Sequence, residues 1–172
     1  MSKGLVVGTI TYEPFGGKYS VSAINKLDNK LNIELSAGSS QWHPFAKVTD
    51  DDLKMRGDTF AIEASAGEYL MGRWHIQQGP KWYNGTRPLG FTFRVEPGKV
   101  TYVGNIHFVA KEYVNLQDMS ERDLPILEAR FPAIKTTPMA FAIAKGTKLE
   151  RLGGEADWGM RMTPLFVPVV PR

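Results

Sequence analysis

Three histidines, His43, His75 and His107, are the residues of this chain best suited to acid–base or metal chemistry. Three imidazoles can hold one zinc ion, because zinc accepts nitrogen ligands readily. No two of them stand at i, i+2 or i, i+4 spacing, so no pair is brought together within one strand or helix. They are expected as separate surface or cross-strand residues, with no metal site. Cysteine is absent, which removes thiolate ligands, thiol nucleophiles and disulfides. The acidic run Asp50-Asp51-Asp52 offers oxygen atoms to calcium but lacks the alternating acids, glycine and closing Glu of an EF-hand loop. A solvated loop capping Leu53-Lys54-Met55 is the expected reading.

Nucleophile signatures are missing as well. Gly38-Ser39-Ser40-Gln41 is not a G-x-S-x-G elbow between strand and helix. Gly16-Gly17-Lys18 and Gly153-Gly154 have neither Walker spacing nor a following helix. Nothing selects a pair of carboxylates for glycoside hydrolysis, whose separation is a three-dimensional quantity. No catalytic residue and no cofactor is therefore assigned. Two aromatic clusters remain, Trp42-His43-Pro44-Phe45 and Trp82-Tyr83-Asn84, both in segments read as loops. Aromatic residues displayed on loops are enriched at binding surfaces, where one edge is apolar and the other hydrogen-bonds. Trp42, His43, Phe45, Trp82, Tyr83 and Asn84 are accordingly the candidate partner-binding residues. Asn84-Gly85-Thr86 has the N-glycosylation acceptor pattern, but Asn-Gly is more simply a turn.

A β-sheet must position these residues. Apolar residues alternate through Leu70, Gly72, Trp74 and Ile76, through Phe91, Phe93 and Val95, and through Val100, Tyr102, Gly104, Ile106 and Phe108. A period of two buries one face of each strand and wets the other. Trp74 and Tyr102 fall on the buried parity. Pro97-Gly98 forms the intervening turn: Pro fixes φ at the first central position and Gly supplies positive φ at the next. Further strands are expected over 4–12, from Tyr19 to Ala23, from Leu31 to Leu35 and from Thr59 to Ala64, the second and third forming a hairpin. The stretch 78–88, with its Pro, Gly and aromatic residues, reads as a loop. Ser120-Glu121-Arg122-Asp123 resembles a capping box, and Leu124, Leu127 and Phe131 form one helical stripe that Pro132 ends. Pro125 is awkward in that helix, since it removes a hydrogen bond. The fold class is mainly β: an antiparallel β-sandwich of about seven or more strands with one short helix near 120–131.

The chain of 172 residues suits one domain, 1–172, with an apolar, Pro-rich segment at 153–172 packed on the sheet or trailing from it. The 21 basic and 18 acidic residues leave a net charge of +3, and the basic ones are scattered. A nucleic-acid partner, which selects clustered Lys and Arg, is not expected. No apolar run is long enough to serve as a transmembrane helix.

Ala66-Gly67-x-Tyr69, then Phe93-x-Val95-x-Pro97-Gly98-Lys99-Val100-x-Tyr102-Val103-Gly104, then Ser120-x-x-Asp123-Leu124 ending at Phe131-Pro132, carry a resemblance over roughly residues 60–135. The pattern resembles bacterial cell-envelope proteins, often lipoproteins, built on a transthyretin-like or carboxypeptidase-regulatory-like β-sandwich. Such a resemblance implies a fold and an envelope location; it carries no catalytic residue. An envelope or periplasmic location requires an export signal ahead of Gly4, and without one the cytoplasm is the expected compartment. The expected function is a non-enzymatic envelope module that binds a protein or cell-wall partner through its loops. The alternative is a metal-binding protein or hydrolase whose His and carboxylate residues are assembled by the fold.

Overall fold

The computed structural model describes residues 2–13, 15–39 and 50–160. The strands in chain order are β1 (Lys3–Glu13), β2 (Lys18–Asn25), β3 (Ile33–Gly38), β4 (Gly57–Ser65), β5 (Gly67–Gln78), β6 (Lys81–Gly85), β7 (Thr92–Val95), β8 (Val100–Val109) and β9 (Tyr113–Gln117). Helix α1 (Ser120–Arg130) and a 3-10 turn at Pro132–Thr136 follow, then β10 (Met139–Phe141), β11 (Lys148–Leu152) and β12 (Ala156–Met160). One sheet, A, has the order β11-β9-β8-β1-β4, with β10 also on β8; the other, B, has the order β12-β6-β5-β2-β3, with β7 also on β5. The molecule is mainly β and sandwich-like, as the alternation predicts. Most pairings are antiparallel, but β8 runs parallel to both β1 and β10. The Pro97-Gly98 turn, with Gly98 at φ +65°, joins strands of different sheets and closes no hairpin. β9 and β11, which carry too few apolar residues to show an alternation, emerge only in the structure.

The core lies between the sheets. Tyr12 stacks on Tyr19 with ring centroids 4.0 Å apart, Tyr19 meets the ring of Phe108 edge-on at 5.1 Å, and Trp74 meets Phe108 edge-on at 6.3 Å. These rings, with Val6, Ile10, Val21, Ile76 and Ile106, are almost wholly buried. Burial of a large aliphatic or aromatic side chain contributes about 1.5–3 kcal/mol each, so this layer supplies the main driving force for pairing the sheets.

On the long strands β5 and β8 the simple period of two fails at a β-bulge, which adds a residue to the strand and turns the following side chains over. On β5, Val21 pairs with Trp74 but Ala23 pairs with Met71, so the shift falls at Gly72-Arg73. Tyr69 and Met71 thus join Trp74 and Ile76 inside, while Leu70 is only half-buried. On β8, Val7 pairs with Tyr102 but Thr9 pairs with Asn105. Gly104 takes φ +95° there, a backbone conformation costly to residues with a side chain. Tyr102 is fully buried, as expected, but it faces away from Ile106 and Phe108, together with Asn105 and His107.

Helix α1 covers that outer face of sheet A, burying Asp123 and Leu127 one turn apart. The capping-box reading of Ser120 is replaced. Met119 occupies the N-cap without a side-chain bond, and Asp123 turns inward instead of capping. The carboxylate of Asp118 accepts hydrogen bonds from the backbone N–H groups of Ser120 and Gly146 at 3.0 and 2.8 Å. Those bonds outweigh partial burial and hold the Asp118 carboxyl below its ordinary pKa. Pro125 lies inside the helix and cannot donate to the carbonyl one turn before it. At the far end, Arg130 grips Asp50 at 2.8 Å, Asp52 at 2.8 Å and Asp58 at 3.2 Å. The acidic run is therefore an anchor for the helix, and Asp50 Oδ1 also accepts the Leu53 backbone N–H.

Candidate functional site

The expected candidates separate in space. Trp42, His43 and Phe45 lie outside the described residues. Trp82, Tyr83 and Asn84 do not sit in a loop: they form the middle of β6, paired to β5 on one side and β12 on the other. The Pro and Gly residues of this stretch mark its ends, and the aromatic residues between them are strand formers. The C-terminal segment correspondingly contributes an edge strand through β12, and residues 161–172 lie outside the description.

Consecutive strand residues point to opposite faces, so Trp82 and Asn84 share one face and Tyr83 takes the other. Tyr83 faces the end of the sandwich, where the Lys111 ammonium donates to its hydroxyl at 3.0 Å and lies 4.3 Å from its ring centroid. Phe15 adds a second ring 4.7 Å from the same ammonium. Trp158, opposite Tyr83 on β12, is 66% exposed.

The outer face of sheet B gathers Trp82 and Asn84 with His75. Register places Ser36, Ser20, His75, Asn84 and Asp157 in one row across five strands. The adjacent row contains Gly38, Lys18, Gln77, Trp82 and Gly159. A groove of about 720 Å³ opens on this face, and among the described residues that line it only Ile33 and Trp74 are apolar. His75 Nδ1 and Asn84 Oδ1 are 2.5 Å apart, so the ring donates from Nδ1 to the amide oxygen, which in the neutral ring leaves Nε2 as the acceptor. Lys18 and Glu34 form an ion pair at 2.7 Å along the same face, cancelling one charge of each sign. A signal for this site does exist in the sequence: Lys18, Ser20 and Ser22 alternate with Tyr19, Val21 and Ala23, and Arg73, His75 and Gln77 alternate with Trp74 and Ile76. By alternation alone the polar phase of those runs marks no more than the wet side of a core strand.

The corresponding face of sheet A also collects polar residues, but it is sealed. Thr9 and Tyr102 both donate to Asp123 Oδ2 at 2.8 Å, and Arg122 Nε donates to Oδ1 at 2.8 Å. Asn105 Nδ2 donates to Thr9 and Thr11 at 2.8 and 3.1 Å, while Gln117 donates to Asn105 Oδ1 at 3.1 Å. His107 Nδ1 lies 2.9 Å from the Thr11 hydroxyl. Burial, chiefly, holds the His107 pKa below its ordinary value, and burial beside Asp123 drives the Tyr102 hydroxyl strongly upward. Thr9, Asn105 and Asp123 have no exposed surface, so the centre of this network is out of a substrate's reach and fixes α1 to the sheet, while His107, Gln117 and Arg122 at its margin are half-buried. His75 and His107 project from outer faces of opposite sheets and cannot share an ion. Among the described residues no three of His, Asp and Glu stand close enough to hold a metal ion.

Neither a family model nor a curated protein matches the chain. Among solved structures, a leucine-rich repeat protein from Bacteroides thetaiotaomicron is similar to 63% of this chain at 17% identity and a TM-score of 0.35. The similar region amounts to 14% of that protein's length.

Proposed function

We propose that this chain is a non-enzymatic binding module of the bacterial cell envelope that recognises a protein or cell-wall partner. The observation that carries the reading is the outer face of sheet B, where His75 and Asn84 stand in register in a groove lined by polar residues and Trp82 lies in the adjacent row. Side chains mounted on paired strands are held in place before a ligand arrives, which lowers the entropy lost on binding. Ser20 stands opposite His75 with no hydrogen bond between them, so the polar rows offer hydrogen bonds without an engaged nucleophile–base pair, and this arrangement favours binding over turnover. The envelope assignment rests on the resemblance of residues 60–135. Among the described residues no helix is long and apolar enough to cross a membrane.

The test is retention of partners on immobilised protein, using envelope extracts and isolated cell-wall sacculi, with wild type beside Trp82→Ala. Wild type is expected to retain a saturable partner that the variant loses. Turnover of a substrate by the purified chain, or retention indifferent to Trp82, would refute the reading.

A further inference from the structure

We propose that the outer face of sheet B is a platform for a neutral glycan strand laid across the β-strands, with Trp82 as the stacking residue. This deepens the binding reading above and rests on it; what it adds is the chemical class of the ligand.

Trp82 is seated over Gly159 of the neighbouring strand. A Cβ built on Gly159 would stand 2.1 Å from Cζ2 of Trp82 and 2.5 Å from Cε2. The indole thus occupies the place that a side chain on β12 would take, and Gly159 is what lets it lie there. Backbone supports one side of the ring, and the side chain remains half-buried, with surface left open. A pyranose ring presents a patch of C–H groups bordered by hydroxyls, and such a patch matches an aromatic face supported from behind.

Sugar hydroxyls both donate and accept. Serine, asparagine and glutamine side chains do the same, and the neutral His75 ring, donating from Nδ1 to Asn84, accepts at Nε2. Ser20, Ser22, Gln77 and Asn84 all line the groove. Neighbouring strands lie about 4.8 Å apart, so the five-membered row from Ser36 to Asp157 spans about 19 Å, enough for several linked sugars.

With Lys18 paired to Glu34, Arg73 is the one groove-lining cation without an ion-pair partner among the described residues, whereas polyanion recognition draws on several unpaired Lys and Arg residues. A peptide docks by adding a strand to a free edge or by pressing apolar anchors into a groove. This ligand face is the flat of a sheet whose central strands β2, β5 and β6 are paired on both sides, and the residues lining its groove are mostly of polar type, with no row of apolar anchor sites.

The full chain, ¹⁵N-labelled, is titrated with soluble oligosaccharides of N-acetylglucosamine and of glucose, three to six units long, and followed by NMR. Saturable shifts are expected at the amides of Ser20, His75, Gln77, Trp82 and Asn84, with affinity rising with chain length. Trp82→Ala is expected to weaken binding by about tenfold, comparable to the loss of one aromatic contact. Gln77→Ala should weaken it several-fold at unchanged Tm, which guards against a folding defect in the Trp82 variant. Trp158→Ala should keep wild-type affinity. Absence of binding by every neutral oligosaccharide at millimolar concentration overturns the glycan assignment, as does binding indifferent to both Trp82 and Gln77. If sugars fail while an envelope protein still requires Trp82, the glycan inference is lost and the binding face stands. A partner that requires neither residue removes both.

Discussion

The outer faces of the two sheets are built from similar residues and have opposite fates. On sheet A, Thr9, Thr11, Asn105, His107 and Gln117 are joined to one another, and through Thr9 to Asp123, beneath α1. On sheet B, Ser20, Ser22, His75, Gln77 and Asn84 line an open groove. Polar alternation on a strand is therefore not one signal. Roofed by a helix, such a row must find all its hydrogen bonds internally, because an unpaired buried polar group costs about 1–3 kcal/mol. Left open, the same row keeps hydrogen-bonding capacity that water occupies and a ligand can take over.

The contrast is broken most forcefully at Asp123. Asp123→Ala removes the acceptor of Thr9, Tyr102 and Arg122 at once and should cost about 3–5 kcal/mol, read by urea denaturation. A loss below about 1 kcal/mol would mean the roofed network is dispensable.

Next comes the bulge that turns Tyr102 outward. At Gly104 a Cβ would lie 2.9 Å from the Gln117 carbonyl oxygen at φ +95°, so Gly104→Ala should cost about 1–3 kcal/mol in the same measurement. An unchanged midpoint would show that the bulge tolerates a side chain.

A smaller effect is expected from pH. The His107 pKa is lowered in the folded chain, so between that value and the ordinary 6.5 the unfolded chain binds more protons. Stability from this group is full above pH 6.5 and falls as pH drops through the folded value. Denaturation midpoints at pH 7.5 and 5.5 should therefore differ, and His107→Gln should shrink the difference. An undiminished pH response in the variant would assign the effect elsewhere.

On the open face the effect on folding should be smallest. Gln77→Ala and Ser22→Ala should change stability by less than about 0.5 kcal/mol, because neither removes a sealed partner. A large loss at either would make sheet B's face structural like its counterpart.

Much of this was legible along the chain. The strand over 4–12, the long strand into Gln78, the helix and the buried Trp74 all follow from local pattern. Tyr102 illustrates the limit: its parity is counted correctly from Val100, yet the extra residue near Gly104 reverses everything after it. Asp123 looked like a cap because its spacing from Ser120 fits one, and only the packing of α1 on β1 and β8 turned it into the centre of a network. Trp82-Tyr83-Asn84 read as loop because short strands flanked by Pro and Gly carry little periodic signal, and β12, which completes the sheet beside them, is distant in sequence.

By itself the sequence determined the class of the fold, since residue alternation and turn chemistry are local properties of the backbone. Tertiary structure alone decided which polar row is sealed and which is displayed. That choice depends on where α1 lands and on which strands meet across long separations, and no short window of residues encodes either.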